Sequence, residues 1–437
     1  MEDITPGLVE RITEDFRRAY DESGKIQTLL EKVRKGTATY AEAQEYSLEV
    51  SRLIGKAYSK NISSAVLPDG RMYYNIASRL IPASMDENYA LVSQYAASVQ
   101  KELNRNAGIG IRAQVADKSQ DRIDGLVELA CGAERYDDVA QKLLSAFDGF
   151  SQSVVDDTIQ KNAQLHYDAG MSPKIRRKAE WRCCDWCRAL EGEYDYPDVP
   201  PDVYRRHERC RCTVLYDPAD GKKLFQNVHS REWTDREHRI SDYTERERRL
   251  AEEKTAQTIK RKFQAVSQNR VVEVMRQDSE QWIHSLNESE RVSIRKYTGN
   301  GDTDPKLYQR INAMLRGDNP EDVRLRYHAD NISGALKRCV LGENVICYRG
   351  VDVHPIPEVD IGTTIGLRQF ISSTVIPNKA FDSGISMVIY ALKGTVGAGY
   401  IESLSEFPKQ REMLFDKDCK YVVLSNKENH IELVVVR

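Results

Sequence analysis

Three short segments in the C-terminal part of the chain constrain its fold most strongly. Each joins an apolar, β-like stretch to a polar group: the cation Arg349 in the first, the hydroxyl of Ser372 in the second and the carboxylate of Glu412 in the third. Taken singly, such groups are common at strand ends and on polar strand faces, where long side chains reach water. Because all three are attached to strand-like segments in a fixed order, we expect them to lie on neighbouring strands.

Together, the segments at 345–350, 369–374 and 405–412 resemble the Arg-Ser-Glu class of mono-ADP-ribosyltransferases, the bacterial exoenzyme toxins. Segments further upstream look like the helical first half of that family; they are 292–299, 308–312, 315–317 and 332–338. The resemblance implies an α+β domain in which helices accompany two packed β-sheets. It also implies that NAD is the substrate and that ADP-ribose passes to a protein side chain.

The chemistry implied by this resemblance explains the residue types. Breaking the bond between nicotinamide and ribose leaves positive charge on the sugar, which Glu412 would stabilise while holding the ribose 2′-hydroxyl. Ser372 would orient Glu412, although the family's Ser-Thr-Ser motif reads Ser-Ser-Thr here. Arg349 suits the phosphates because a guanidinium is a charged, bidentate donor, and Gly350 would let the backbone approach nicotinamide closely. Phe381 is a candidate to stack on nicotinamide or, equally, a core residue.

Gln410 and Phe407 are the candidate acceptor-recognition residues. In this family, a Glu two positions before the catalytic Glu goes with arginine acceptors, because a carboxylate pairs with a guanidinium. Gln410 instead resembles the clostridial exoenzymes that modify asparagine on Rho GTPases, as does the aromatic Phe407. An amide can exchange a donor and an acceptor with another amide but offers a guanidinium no charge. We therefore expect asparagine or glutamine as acceptor rather than arginine, with water still open.

A second constellation lies in the middle of the chain, where five of the nine cysteines and one of eight histidines fall between residues 183 and 212. The Cys-x-x-Cys and His-x-x-Cys-x-Cys motifs have the ligand spacing of a tetrahedral structural zinc site. A disulfide cluster is disfavoured because no secretory signal opens the chain, and a redox C-x-x-C because no thioredoxin-like βαβ unit surrounds it. The spacing leaves Cys183 and one of the last two cysteines spare. The candidate ligands are Cys184, Cys187, His207, Cys210 and Cys212.

The region around these cysteines, from residue 181 to the H-x-x-C-R-C motif, resembles the minor head, or head morphogenesis, proteins of tailed bacteriophages. Residues 67–111 fit the helical part of the same proteins. The resemblance implies phage portal or capsid proteins as partners. It also implies a virion protein that is made in the bacterial cytoplasm and could be delivered to it with the DNA.

Composition and patterning complete the expected organisation. With 64 basic and 67 acidic residues, the chain has no large net charge that would favour binding to nucleic acid or a membrane surface. No apolar run approaches the length of a transmembrane span. Helical spacing of apolar residues, as at 46–58 and 139–154, predicts an all-α N-terminal module. The alternatives are an NAD glycohydrolase, a structural head protein with an inactive transferase domain and, least favoured, a zinc-dependent nucleic-acid binder. The predicted domains are 1–175 (helical phage-head-like module), 176–225 (zinc knuckle), 226–275 (charged helical linker) and 276–437 (transferase).

Overall fold

The chain forms two compact units in the computed structural model. The model describes residues 3–181, 183–208, 210–218, 245–263, 268–299, 306–380 and 383–437. The first unit comprises Met1–Ala107, Ala113–Tyr167 and Ser172–Glu245. The second comprises Gly108–Arg112, Asp168–Met171 and Arg246–Arg437. The second unit therefore includes two short segments from the N-terminal half as well as the whole C-terminal part.

Long helices form most of the first unit, as the apolar spacing predicts. Their bounds are α1 Thr5–Asp21, α2 Gly24–Arg34, α3 Tyr40–Asn61, α4 Tyr74–Ala107, α5 Gln120–Cys131 and α6 Tyr136–Asp168. A capping box between Thr39 and Glu42 satisfies the first amides of α3 and fixes where that helix begins. The Tyr46 and Tyr95 rings stack in the core with centroids 4.2 Å apart. The prediction of a helical N-terminal region is confirmed.

The cysteine-rich region of the first unit contains short strands, which the sequence did not predict. Strand β1 (Lys174–Lys178) precedes the short helix α7 (Asp185–Ala189), and β2 (Gly192–Asp195) and β3 (Thr213–Asp217) follow. They form an antiparallel sheet in the order β2-β1-β3. The Cys-x-x-Cys turn lies between β1 and β2, and the His-x-x-Cys-x-Cys turn lies before β3, so this sheet brings the two halves of the cluster together.

Helices precede the strands of the second unit, and most of these helices contribute buried residues to its core. They are α8 Glu245–Lys260, α9 Gln268–Ser285, α10 Glu288–Thr298, α11 Leu307–Arg316 and α12 Val323–Leu336. Trp282 of α9 donates its indole N–H to Ala335 O at 2.8 Å. Gly399 approaches the same ring so closely that a Cβ there would lie 2.5 Å from it, which requires glycine. The expected boundaries at residues 226 and 276 stay a prediction, but residue 276 falls inside α9.

Eight strands of the second unit form one hydrogen-bonded sheet, where the family resemblance implied two packed sheets. The strand order is β5-β10-β11-β7-β4-β6-β9-β8. A single residue pair, Tyr348 with Thr374, joins β4 to β6 and links the two halves. Buried side chains from both halves meet in one core, so the halves still pack on each other. The strands are β4 Val345–Val351, β5 Thr364–Gly366, β6 Ile371–Thr374, β7 Ile385–Ala391, β8 Ala398–Tyr400, β9 Glu412–Phe415, β10 Lys420–Lys427 and β11 His430–Val435.

None of the helices in the described ranges is both long enough and apolar enough to cross a membrane.

Candidate active site and cysteine cluster

The three polar segments singled out in the sequence lie on adjacent strands of the second unit. Arg349 is on β4, Ser372 on β6, and Glu412 is the first residue of β9. Strand β6 pairs antiparallel with β9, and the Tyr348–Thr374 pair joins β6 to β4. The expectation that these segments would be neighbours is therefore confirmed.

Glu412 is held by two hydroxyl groups. Ser372 Oγ donates to Glu412 Oε1 at 2.5 Å, and Ser405 Oγ donates to Oε2 at 3.4 Å. Only 5% of the Glu412 surface is exposed. Because each carboxylate oxygen has its own donor, the orientation of the carboxylate is fixed before any substrate arrives.

Burial is also what dominates the ionisation of Glu412. Loss of water around the carboxylate raises the pKa of Glu412 above its ordinary value, while the hydrogen bonds from Ser372 and Ser405 and the charge of Arg349 oppose that rise. Only the ionised form carries the charge that would stabilise a cationic sugar. The site therefore holds a carboxylate whose charge is poorly solvated.

Arg349 lies beside this pair and faces the same cavity. Its guanidinium donates to the backbone carbonyl of Ser372. The cavity has a volume of about 720 Å³, and its lining includes Arg349, Gly350, Ser372 and Glu412. That volume lies within the range of pockets that enclose cofactor-sized ligands, roughly 300–1,000 Å³.

The two candidate residues for recognising the acceptor, Gln410 and Phe407, line the same cavity and lie in the segment before β9. Gln410 ends a short 3-10 turn, Pro408–Gln410, and Phe407 precedes it with 41% of its surface exposed. Phe407 N donates to Ser405 Oγ at 3.1 Å, which ties this turn to a serine that also contacts Glu412. Phe381, the candidate nicotinamide partner, lies outside the described residues.

Asn312 on α11 is a supporting residue that the sequence did not indicate. Its Nδ2 donates to Tyr297 Oη at 3.0 Å and to Phe370 O at 3.2 Å, and its Oδ1 accepts from Phe370 N at 3.0 Å. It thereby fixes the backbone two residues before Ser372. Arg316, one helical turn further along α11, also lines the cavity and donates to the Gln369 side chain. The resemblance of 308–312 and 315–317 to the family was the available signal, but it did not identify these contacts.

In the first unit, the predicted metal ligands form two groups that share one cysteine. Cys184, Cys187 and His207 make one group, and Cys187, Cys210 and Cys212 make the other; within each, the ligand atoms lie within 4.8 Å of one another. All nine cysteines lie in described residues, and none forms a disulfide.

Individual distances in the cluster suit metal ligands better than thiols bonded to each other. Cys187 Sγ and Cys210 Sγ are 3.7 Å apart, and Cys187 Sγ lies 3.1 Å from His207 Nε2. Zinc–sulfur bonds of about 2.3 Å in a tetrahedron place the sulfurs about 3.8 Å apart. The structure does not decide between Cys210 and Cys212, because both are buried beside Cys187.

A buried arginine adjoins the cluster. Only 1% of the Arg177 surface is exposed, and its Nη2 donates to Cys187 Sγ at 3.5 Å and to Cys210 Sγ at 3.8 Å. Its Nη1 donates to the carbonyls of Val203 at 2.5 Å and Arg205 at 3.0 Å. A buried cation needs nearby negative charge; the buried carboxylate of Asp156 interacts with Arg177, and the thiolates of a metal site would supply more. The donor set therefore fits zinc.

Comparison with known proteins assigns the second unit to a class. Residues 275–436 match the family model of the ADP-ribosyltransferase exoenzymes. The C-terminal part of the chain is therefore an ADP-ribosyltransferase exoenzyme domain. No curated protein matches the chain.

Several solved structures are similar to this chain. Plx2a, an ADP-ribosyltransferase toxin from Paenibacillus larvae, is 21% identical, with a TM-score of 0.34 over 39% of this chain and 96% of its own. The Clostridium limosum C3 exoenzyme is 21% identical, with a TM-score of 0.34 over 40% of this chain and 98% of its own. Exoenzyme S from Pseudomonas aeruginosa is 17% identical, with a TM-score of 0.30 over 38% and 86%.

Proposed function

We propose that the C-terminal domain breaks the nicotinamide–ribose bond of NAD and transfers ADP-ribose to a side chain of another protein. The observation that carries this proposal is the Ser372–Glu412 hydrogen bond of 2.5 Å at the cavity that Arg349 also lines. The cavity thereby contains an oriented carboxylate, which would face the sugar, and a guanidinium, which would bind the phosphates.

In the proposed reaction, the bond from ribose C1′ to the nicotinamide nitrogen breaks and its electron pair leaves with nicotinamide. Ionised Glu412 stabilises the positive charge that develops on the sugar, and Arg349 binds the pyrophosphate. The acceptor nitrogen then bonds to C1′ and releases a proton. Because Glu412 is oriented beforehand by Ser372 and Ser405, little reorganisation accompanies the charge build-up.

We further propose that the acceptor is an asparagine or glutamine side chain. Gln410 and Glu412 line the same cavity, so an amide held by Gln410 would lie near the sugar that Glu412 stabilises. Phe407, 41% exposed, would contact the protein that carries the acceptor. An arginine acceptor would find no carboxylate at position 410 to orient it.

Labelled NAD tests this function directly. The full chain is incubated with NAD labelled in its adenylate half and a bacterial lysate, and the label is followed to protein or to free ADP-ribose. Label on asparagine or glutamine supports the proposal, and label on arginine overturns the acceptor assignment. Label only on free ADP-ribose identifies an NAD glycohydrolase, and no consumption of NAD identifies an inactive domain.

We also propose that the cysteine cluster holds one structural zinc ion. The two ligand groups sharing Cys187, and the buried Arg177 beside the sulfurs, support this proposal. Zinc would close the two turns on each other, and four protein ligands would leave no open position for catalysis. Metal content of the purified chain, measured by atomic emission, should be about one zinc per chain.

For the first unit, we propose the role of a minor head protein of a tailed phage that carries the enzyme in the virion. Its support is the sequence resemblance around residues 67–111 and 181–212. Portal or capsid proteins would then be its partners. Phage particles purified from cells that carry this coding sequence should contain the chain after density-gradient separation; its absence from the particles would overturn the proposal.

A further inference from the structure

The segment between β8 and β9 begins and ends at one point. Ile401 N donates to Glu412 O at 3.0 Å, and this hydrogen bond closes the backbone. Residues 403–410, here called the rim loop, lie between Glu402 and Arg411 and carry Ser405, Phe407 and Gln410. Whatever holds the two ends together therefore sets the position of all three side chains.

Glu402 and Arg411 form an ion pair across the base of the rim loop. Glu402 is 8% exposed, and its carboxylate accepts further bonds from neighbouring elements. Arg276 of α9 binds it through two nitrogens at 2.8 Å each, and Tyr400 Oη donates to it at 2.9 Å. Glu402 is thus fixed to the body of the domain, and Arg411 binds a carboxylate that cannot move freely.

The side chain of Arg411 pairs with Glu402 and does not line the cavity, although its two neighbours in the chain do. Gln410 and Glu412 both line the cavity, whereas the described lining does not include Arg411. The backbone of Arg411 is left-handed, with φ 55°, a conformation that is unfavourable for a residue with a side chain. Its carbonyl accepts from Val375 N at 3.1 Å. The left-handed turn at Arg411 lies between Gln410, on the rim loop, and Glu412, at the start of β9, and lets both side chains line the cavity.

We propose that the Glu402–Arg411 pair is a latch that holds the rim loop in the geometry required for transfer to an acceptor side chain. This inference rests on the proposed function, because it assigns acceptor positioning to the loop. Both are positioning residues, since they act through Gln410 of the rim loop without lining the cavity themselves. Loosening the latch should affect transfer more than hydrolysis. Transfer needs an oriented contact with Gln410, whereas Glu412 keeps its shorter hydrogen bond, from Ser372, which lies outside the rim loop.

Arg411→Asn is the principal test. Asparagine tolerates the left-handed backbone better than most residues, so this change removes the ion pair with little backbone penalty. Glu402→Gln removes the charge from the other side, and Arg411→Lys keeps the charge but not the fork. Arg276→Ala is the matched control, because it removes a partner of Glu402 on α9 and leaves the Glu402–Arg411 pair in place.

Hydrogen exchange of the rim-loop amides provides a readout that does not depend on activity. We expect exchange about tenfold faster in Arg411→Asn than in wild type, with Arg411→Lys intermediate and Arg276→Ala unchanged. Transfer should fall about tenfold in Arg411→Asn while hydrolysis falls less than about threefold.

Two results would overturn the latch: rim-loop exchange that is unchanged in both Arg411→Asn and Glu402→Gln, or equal loss of transfer and hydrolysis in Arg411→Asn. If Glu402→Gln fails to fold, because two arginines lose their counter-ion, Arg411→Asn still decides. If wild type shows neither transfer nor hydrolysis, the proposed function fails, while the exchange experiment still tests the latch by itself.

Discussion

At the residue scale, the fold orients the carboxylate of Glu412 and also buries it. Its neighbours orient it with two hydroxyl groups but leave it almost without water. The same burial that makes an ionised carboxylate effective against a developing cation makes that ionised form expensive to keep in the folded protein. Three measurable consequences follow for rate, pH dependence and stability.

Replacing Glu412 with Gln should strongly lower the rates of transfer and hydrolysis while leaving NAD affinity within about threefold, because in the proposed reaction the carboxylate acts on charge that appears in the transition state. We expect a loss of about 100- to 1000-fold in kcat. Single-turnover kinetics and calorimetric NAD titration measure the two quantities. Glu406→Gln, an exposed carboxylate of the rim loop, is the control and should keep its rate. Near-normal turnover of Glu412→Gln would remove Glu412 from the reaction.

The pH profile should show the raised pKa of Glu412 directly. Only the ionised form is competent, so kcat/KM for NAD hydrolysis should fall as pH drops through a pKa above the usual glutamate value. The residual activity of Glu412→Gln should lack this acid limb. A profile that stays flat down to the ordinary carboxyl range would contradict the burial of an ionised Glu412.

Stability should respond in the opposite direction. A pKa that is higher in the folded than in the unfolded chain stabilises the fold below the unfolded pKa, and this contribution is lost as pH rises through the folded pKa. Glu412→Gln should therefore unfold at a higher temperature than wild type at neutral pH, and the two should converge below the ordinary glutamate pKa. Thermal unfolding across that pH range is the measurement, and a Gln variant that is less stable at neutral pH would be the contrary result.

At the element scale, the rim loop and α11 supply what the three strands do not. The strands place Arg349, Ser372 and Glu412, but the rim loop brings Gln410 to the cavity and α11 holds the beginning of β6 through Asn312. In the proposed reaction, the loop would bear on the choice of acceptor, while the helix fixes the backbone just before the serine strand.

Gln410→Ala should lower protein labelling by about tenfold or more and spare hydrolysis, because the proposed reaction assigns the acceptor contact to Gln410 and the sugar chemistry to Glu412. Gln410→Glu restores a carboxylate and should move labelling toward arginine. Parallel assays of hydrolysis and site-mapped labelling compare both variants with Lys409→Ala, an exposed neighbour on the same loop. If hydrolysis falls together with labelling in Gln410→Ala, the residue positions the catalytic carboxylate instead.

At the scale of the whole molecule, the first unit has a polar centre in the cysteine cluster beside Arg177. The cluster closes the turns between β1 and β3, and Gln152 of α6 donates to Cys210 O at 3.1 Å, so the cluster is bound to the helical core. A metal there would stabilise the first unit and leave the chemistry of the second untouched.

Cys187→Ser should lower the unfolding free energy of the first unit by about 3 kcal/mol or more, because Cys187 belongs to both ligand groups and loss of a structural metal is costly. NAD hydrolysis should be unchanged. Metal content and thermal unfolding of the full chain measure the effect, with Cys183→Ser, outside both groups, as control. A wild-type chain that is free of metal yet as stable as its zinc-loaded form would favour thiols that only pack.

Local patterns in the sequence predicted which groups the fold brings together. The order of Arg349, Ser372 and Glu412 predicted neighbouring strands, because polar residues attached to apolar β stretches end up at a shared sheet. Apolar residues at helical spacing predicted the helices of the first unit, because that spacing is also a local property of the sequence. The roles of these residues stay predictions, as do zinc and the phage-head role.

The residues that support the site are recognised from long-range contacts, which exist in the folded chain alone. Glu402 is one of many acidic residues in a charged sequence, and nothing local marks it as buried beneath two arginines and a tyrosine. Asn312 is distant in sequence from the strand that it fixes, and the sheet stays continuous through one residue pair instead of dividing in two. Burial and long-range pairing depend on how elements meet, so local sequence patterns do not contain them.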